Sequence, residues 1–273
     1  MKTAKQRWYR KWDLDISKED VKKAIDSSLD PKEYTQIRFD GPYAPKDNDD
    51  LKGKTLVFEG EGHVFSFRIT DLNTLFFAED GGEEKECYVQ VRTLDKELYF
   101  LNFLVPGAET ARQISLIADT VTGYSTVCDA HIGTENSNRD VGREFIFGRL
   151  KGSFKDGTPH CFTNDLIGKA VIWDYGDGGP CIKHIYNSNL YYTYMMDSPN
   201  GAWVASNPAD YIKVKDNIYI FSFIEERQPG LQMLLLIYMD KLHDLGSCFG
   251  IGRGLRSAFV GAIGKEADPY AVF

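Results

Sequence analysis

The chain has 273 residues, which is enough for one large domain or two ordinary ones. With 42% hydrophobic and 26% charged residues it can bury a core, which excludes wholesale disorder. A formal net charge of −8 argues against the basic face that grips nucleic acid, and no run of about 18 apolar residues offers a membrane-spanning helix.

From the N-terminus, Lys2, Lys5, Arg7, Arg10 and Lys11 form the one basic cluster, read as a solvated terminus or a basic contact arm. No apolar secretory segment accompanies it, so the expected compartment is the cytoplasm. Ser17-Lys18-Glu19-Asp20 has the form of a capping box ahead of Val21-Lys22-Lys23-Ala24-Ile25, which predicts one short helix. Residues 28–50 are polar and dotted with proline, and read as a linker. The first unit of the chain is therefore 1–50, helix and linker.

Beyond it the chain reads as short β-branched and aromatic strands. Leu51-Lys52-Gly53-Lys54 precedes the strand Thr55-Leu56-Val57-Phe58; Gly60-Glu61-Gly62 turns it into a second strand, His63 to Ile69. Tyr88-Val89-Gln90-Val91 and Leu98-Tyr99-Phe100-Leu101-Asn102-Phe103 follow, with a hairpin turn at Leu94-Asp95-Lys96, and then Leu116-Ile117-Ala118-Asp119. Residues 136–165 read as a second linker. The pattern then begins again: Leu166-Ile167-Gly168-Lys169, Ala170-Val171-Ile172-Trp173, the turn Gly176-Asp177-Gly178-Gly179, and a strand from Cys181 to Tyr186. Tyr211-Ile212-Lys213-Val214, the turn Lys215-Asp216-Asn217, Ile218-Tyr219-Ile220-Phe221-Ser222-Phe223 and Ile237-Tyr238-Met239-Asp240 complete it. The order is kept at an offset of about 120 residues, the mark of an internal repeat. The expected fold is all-β: two tandem homologous antiparallel β-barrels of calycin or lipocalin type, at 51–135 and 166–273, after a short N-terminal helix. Closure removes the exposed edges of a sheet, and eight strands leave room for one small ligand.

The residues Leu166-Ile167-Gly168-Lys169, Trp173, Tyr175, His184-Ile185-Tyr186-Asn187 and Tyr191-Tyr192 carry a resemblance to the MoaF family. That resemblance implies paired calycin-type barrels; a link to molybdenum cofactor biosynthesis is implied by the family's label. The second copy also resembles, more distantly, phenolic acid decarboxylases, calycin-like barrels that release carbon dioxide from hydroxycinnamic acids without a cofactor. Tyr175 stands at the second of that family's paired tyrosines and Glu225 at its catalytic glutamate. Gly201-Ala202-Trp203 lacks the arginine that precedes the tryptophan there, so the family's carboxylate clamp is not carried over.

The candidate site follows. Glu225, at the end of an apolar strand and beside Glu226, reads as a general acid or base or as a solvated turn carboxylate. Tyr175 and His184 join it as catalytic candidates, His184 as a base near neutral pH or a structural hydrogen-bonder. Trp173, Tyr192, Tyr194, Trp203 and Phe223 are candidate walls for the substrate. In the first copy Arg68 reads as an anion contact or a surface salt bridge, and His131 could face either barrel. The five cysteines form no Cys-x-x-Cys pair, and the five histidines have no metal-binding spacing, so reduced thiols and no metal are expected. Gly250-Ile251-Gly252-Arg253-Gly254 has no βαβ context, so no nucleotide cofactor is expected either.

Three functions fit this pattern: a cofactor-independent lyase or isomerase acting on a small aromatic or unsaturated organic acid or phenol inside the second barrel; a non-catalytic small-molecule carrier or sensor, with a pterin-related ligand as one variant; and a scaffold whose barrels are packed solid. The partner expected is a small molecule, with neither nucleic acid nor membrane, and the surplus Tyr and Phe leave room for a homodimer face.

Overall fold

The structure is a computed structural model that describes residues 41–108, 111–132, 141–197, 201–225, 231–251 and 255–271. The N-terminal basic cluster and the helix expected at 17–25 lie outside the described residues, and among those described every regular element is a strand. No helix among them is long and apolar enough to cross a membrane. None of the five cysteines is in a disulfide.

The first barrel is a closed antiparallel meander of β1 (Thr55–Gly60), β2 (His63–Asp71), β3 (Thr74–Glu79), β4 (Lys85–Arg92), β5 (Leu98–Leu104), β6 (Ala111–Asp119), β7 (Tyr124–Ile132) and β8 (Gly142–Leu150), each paired with the next. β1 and β8 close the ring through Phe58↔Leu150 and Glu59↔Arg149. The stretch read as a linker at 136–165 thus carries β8, the strand that closes the barrel. Its sequence hides the fact, because Gly142, Arg143, Gly148 and Arg149 interrupt the apolar alternation. The glycine at 148 is required by the seam: a Cβ there would overlap the Glu59 carbonyl, just as one on Gly60 would overlap that of Phe147.

The second barrel runs through β10 (Ala170–Asp174), β11 (Cys181–Ile185), β12 (Tyr191–Asp197), β13 (Trp203–Lys215), β14 (Ile218–Glu225), β15 (Leu231–Tyr238), β16 (His243–Ile251) and β17 (Leu255–Glu266). β17 returns to β10, and β12 also pairs with β13, so this ring too is closed with eight strands. The short β9 (Cys161–Phe162) lies beside β13. Both expected hairpin turns are present, with Asn217 at positive φ between β13 and β14 and Asp95 accepting the Glu97 and Leu98 amides ahead of β5.

The repeat extends to single hydrogen bonds. Gly53 N–H donates to the Ile69 carbonyl and Gly168 N–H to that of Tyr186; Lys54 N–H reaches Leu51 O and Lys169 N–H reaches Leu166 O, each at 3.0 Å. Both glycines have positive φ, +76° and +84°, which a Cβ disfavours. The Tyr99 hydroxyl meets Asp50 and the Tyr219 hydroxyl meets Asp165. One part of the sequence alignment shifts. Asn48 N–H donates to Val91 O and Thr163 N–H to Tyr211 O, so Tyr211 corresponds to Val91 and not to Tyr88. A slip of three residues reverses the face. Tyr211 enters the second core with Ala209 and Ala205, whereas Cys87, Val89 and Val91 enter the first core and Tyr88 does not.

The interior of the first barrel is filled with hydrocarbon. Phe58, Phe65, Phe67, Phe77 and Phe103 pack ring on ring, with centroids of successive pairs 5.2–6.3 Å apart. Beyond them Arg112 on β6 pairs with Asp129 on the adjacent β7 at 2.6 Å and, further round the barrel, with Glu79 on β3 at 2.8 Å. These carboxylates hold the guanidinium charged against the cost of burial.

Candidate functional site

The second barrel puts polar groups at inward positions that are apolar in the first. Because Ile69 corresponds to Tyr186, two residues back along each strand Phe67 corresponds to His184. In the same way Phe103 corresponds to Phe223, and Val105 to Glu225. Alternation along β14 sends Tyr219, Phe221 and Phe223 into the core, and the next inward position is Glu225. On β12 the same period carries Tyr192, Tyr194 and Met196 inward. Tyr175 follows β10 at the glycine turn, where Asp174 accepts the Gly176 amide at 2.8 Å and Gly179 N–H donates to Gly176 O. The positive φ of Gly176, and Pro42 pressed against it, leave no room for a side chain.

These side chains surround a cavity of about 160 Å³. Tyr175, His184, Tyr192, Tyr194, Phe223 and Glu225 line it, with Ile182, Met196, Leu231, Met233 and Val260 among the apolar remainder. A protein cavity of about 150 Å³ lined by hydrocarbon takes benzene, so the volume suits a single ring. The Tyr194 hydroxyl donates to Glu225 Oε1 at 3.0 Å, and Asn207 donates to the Tyr192 hydroxyl at 3.4 Å.

Burial governs the electrostatics. It pushes the His184 imidazole down to about 3, so the ring is neutral at pH 7. Its rim lies edge-on to Tyr192 and Phe221, centroids 5.2 and 5.4 Å away, and its Nδ1 has no hydrogen-bond partner. A base working near neutral pH, one role expected of His184, does not fit a ring held neutral down to pH 3. Burial raises the Tyr175 hydroxyl far above its ordinary range, with Asp244 adding to it, and burial and then the Glu225 charge do the same to Tyr192. Both hydroxyls therefore stay neutral at pH 7.

Asp244 was not among the residues expected from sequence. On β16 it stands opposite Ile237 and Ala262, both core residues, and is fully buried. Its Oδ1 accepts the Ala262 amide at 2.8 Å, and its carboxyl lies against the Tyr175 hydroxyl. Desolvation raises the Asp244 carboxyl to about 8, which keeps it mostly protonated at neutral pH. In the sequence it looks like one more turn carboxylate after Asp240-Lys241. The signal that finds it is register: a hairpin turning at Asp240-Lys241 places Asp244 across from Ile237.

Three expected positions fall elsewhere, and a fourth is not described. Trp173 is in the core, its indole N–H directed at the Tyr186 hydroxyl at 3.4 Å, and does not line the cavity. Arg68 sits on the outer face of the first barrel, paired with Glu84 and 4.2 Å over the Phe76 ring, the surface salt bridge of the two readings. His131, on β7, packs on Gly142 of the first barrel. The Trp203 side chain lies outside the described part. His63, Glu79 and Asp80 could offer three ligand atoms within 4.8 Å of one another, but Arg112 already holds both oxygens of Glu79.

Residues 160–268 match the family model described as the MoaF C-terminal domain, a span that contains β10 to β17. No curated protein matches the chain.

Proposed function

Taking a MoaF-type C-terminal barrel as the premise, we propose that the second barrel binds a small aromatic or unsaturated organic acid or phenol and that Glu225 moves a proton on it. The reaction class is that of a lyase or isomerase working without a cofactor. The observation that carries this reading is the Tyr194–Glu225 hydrogen bond at 3.0 Å in the wall of an aromatic cavity. A carboxyl so placed takes a proton from one substrate atom and returns it to another, and the hydroxyl of Tyr194 steadies whichever form remains. Tyr175, braced by Asp244, orients the substrate. The largely apolar walls strengthen each polar contact inside.

Proton transfer by a positioned side chain contributes roughly 10²–10⁴-fold to a rate. Glu225→Gln keeps the shape and removes the exchangeable proton. Turnover of a panel of hydroxylated aromatic and unsaturated acids, followed by proton NMR, should therefore fall by about that factor while binding persists. A Glu225→Gln chain that turns over as fast as the parent would exclude the reading.

The second reading is a carrier with no chemistry, favoured by the apolar stretch of wall from Ile182, Met196, Leu231, Met233 and Val260. Its signature is a ligand recovered unchanged, with Glu225→Gln no different from the parent.

A further inference from the structure

We infer that His184 is the specificity residue of this cavity and that the ligand presents to its Nδ1 an un-ionised hydroxyl carried on a single ring. This deepens the reading above, since it rests on the cavity holding a ring.

The comparison within the chain makes the argument. At the matching place in the first barrel stands Phe67, packed against Phe65, Phe77 and Phe103 with nothing unsatisfied. The second barrel has the space and the aromatic neighbours for a phenylalanine and carries an imidazole instead. His184 is 1% exposed, and its Nδ1 has no partner within the protein. A buried polar atom left unsatisfied destabilises the fold, a cost a phenyl ring would avoid. His184 is among the residues that line the cavity, so a ligand held there lies against its ring.

The chemistry of that partner follows from the neighbours. The other polar groups bordering the cavity beside the ring are the hydroxyls of Tyr175, Tyr192 and Tyr194 and the Glu225 carboxyl, none of them cationic. The imidazole itself is neutral. An anion pushed against it would be buried without a counter-charge, which is far more costly than burying a hydroxyl. A hydroxyl both donates and accepts, so it satisfies Nδ1 in either tautomer. Phenols and enols meet these terms; a carboxylate does not, although one can sit elsewhere on the same ligand.

The test uses the full chain, with phenol and toluene as probes of nearly equal size and benzoate as the anion, each titrated calorimetrically at pH 7. Phenol should bind about tenfold tighter than toluene, the worth of one hydrogen bond. In His184→Phe, which copies the first barrel, the two should bind alike, and benzoate should bind both chains equally. Equal affinity for phenol and toluene in the parent, failure of both to bind, a phenol advantage surviving in His184→Phe, or a benzoate affinity that depends on His184 would each overturn the inference. Should His184→Phe not fold, the ¹⁵N resonances of the His184 ring in the parent decide: phenol should move Nδ1 and toluene should not, and an Nδ1 indifferent to phenol overturns it. The Glu225 reading is scored by turnover in Glu225→Gln, so either can fail while the other stands.

Discussion

At the scale of residues, two of the buried ionisable groups of the second barrel, Asp244 and His184, pull stability in opposite directions as pH changes. Asp244 has its folded value raised from 3.8 to about 8, so its contribution is complete below pH 3.8 and is lost as pH rises toward 8. His184 has its folded value lowered from 6.5 to about 3, so its contribution is complete above pH 6.5 and is lost as pH falls toward 3. Between pH 3.8 and 6.5 the slopes oppose. From pH 6.5 to 8 Asp244 acts alone of the two, at up to about 1.4 kcal/mol per pH unit. Asp244→Asn should flatten the stability profile in that interval, read as urea midpoints at pH 6.5 and pH 8 for both chains. Parallel profiles would mean that the folded protein lets Asp244 ionise as freely as the unfolded chain does. Glu225 was legible in the sequence because it ends an apolar strand at the place of the glutamate in the resembled decarboxylases, and alternation along β12 is the physical reason that Tyr192 and Tyr194 meet it at the cavity. Asp244 was not legible, because a carboxylate beside a turn looks solvated until the register of its hairpin is known. Trp173 misled for the converse reason: a large aromatic fits a core as well as a pocket, and only depth in the barrel separates the two.

Among elements, the clearest shared device is the turn that opens each barrel. Leu51 and Leu166 are buried, and the glycine two residues on takes a left-handed conformation and donates across to the end of the second strand. Neither Gly53 nor Gly168 has another atom within 4 Å of where a Cβ would stand, so alanine there adds backbone strain and no clash. Gly53→Ala and Gly168→Ala should each lower stability by about 1 kcal/mol, measured by urea denaturation, in two turns held by the same bonds. A neutral effect at both would show that the turns relax to negative φ. This device was readable from sequence because leucine, glycine and lysine recur at the same spacing. β4 and β13 were harder: both contain a tyrosine three places before a valine, and matching those letters hid the true correspondence of Val91 with Tyr211. Strand β8 was missed because the glycine that fits the seam is also what erases the apolar signal.

For the whole molecule, tandem barrels followed from two aromatic strand sets in one order, whereas their limits did not follow. The first barrel ends at Leu150, well past 135. A fragment of residues 45–135 lacks β8 and leaves β1 and β7 as bare edges, whereas 45–161 includes the closing strand. The longer fragment should melt cooperatively by circular dichroism and the shorter should aggregate or stay unfolded; a cooperative melt of 45–135 would show that closure is dispensable. The seam itself has a consequence in time. Seven of the eight pairings in that barrel join consecutive strands, and such hairpins zip in microseconds. The eighth joins the first strand to the last, so its loop-closure entropy is the largest and its contacts the latest to repay it. With two residue pairs in register and the Lys151 N–H donating to the Val57 carbonyl, this seam should be the last to set and the first to let go, so the opening rate of the barrel should answer to substitutions along it sooner than to ones in the Phe-filled core.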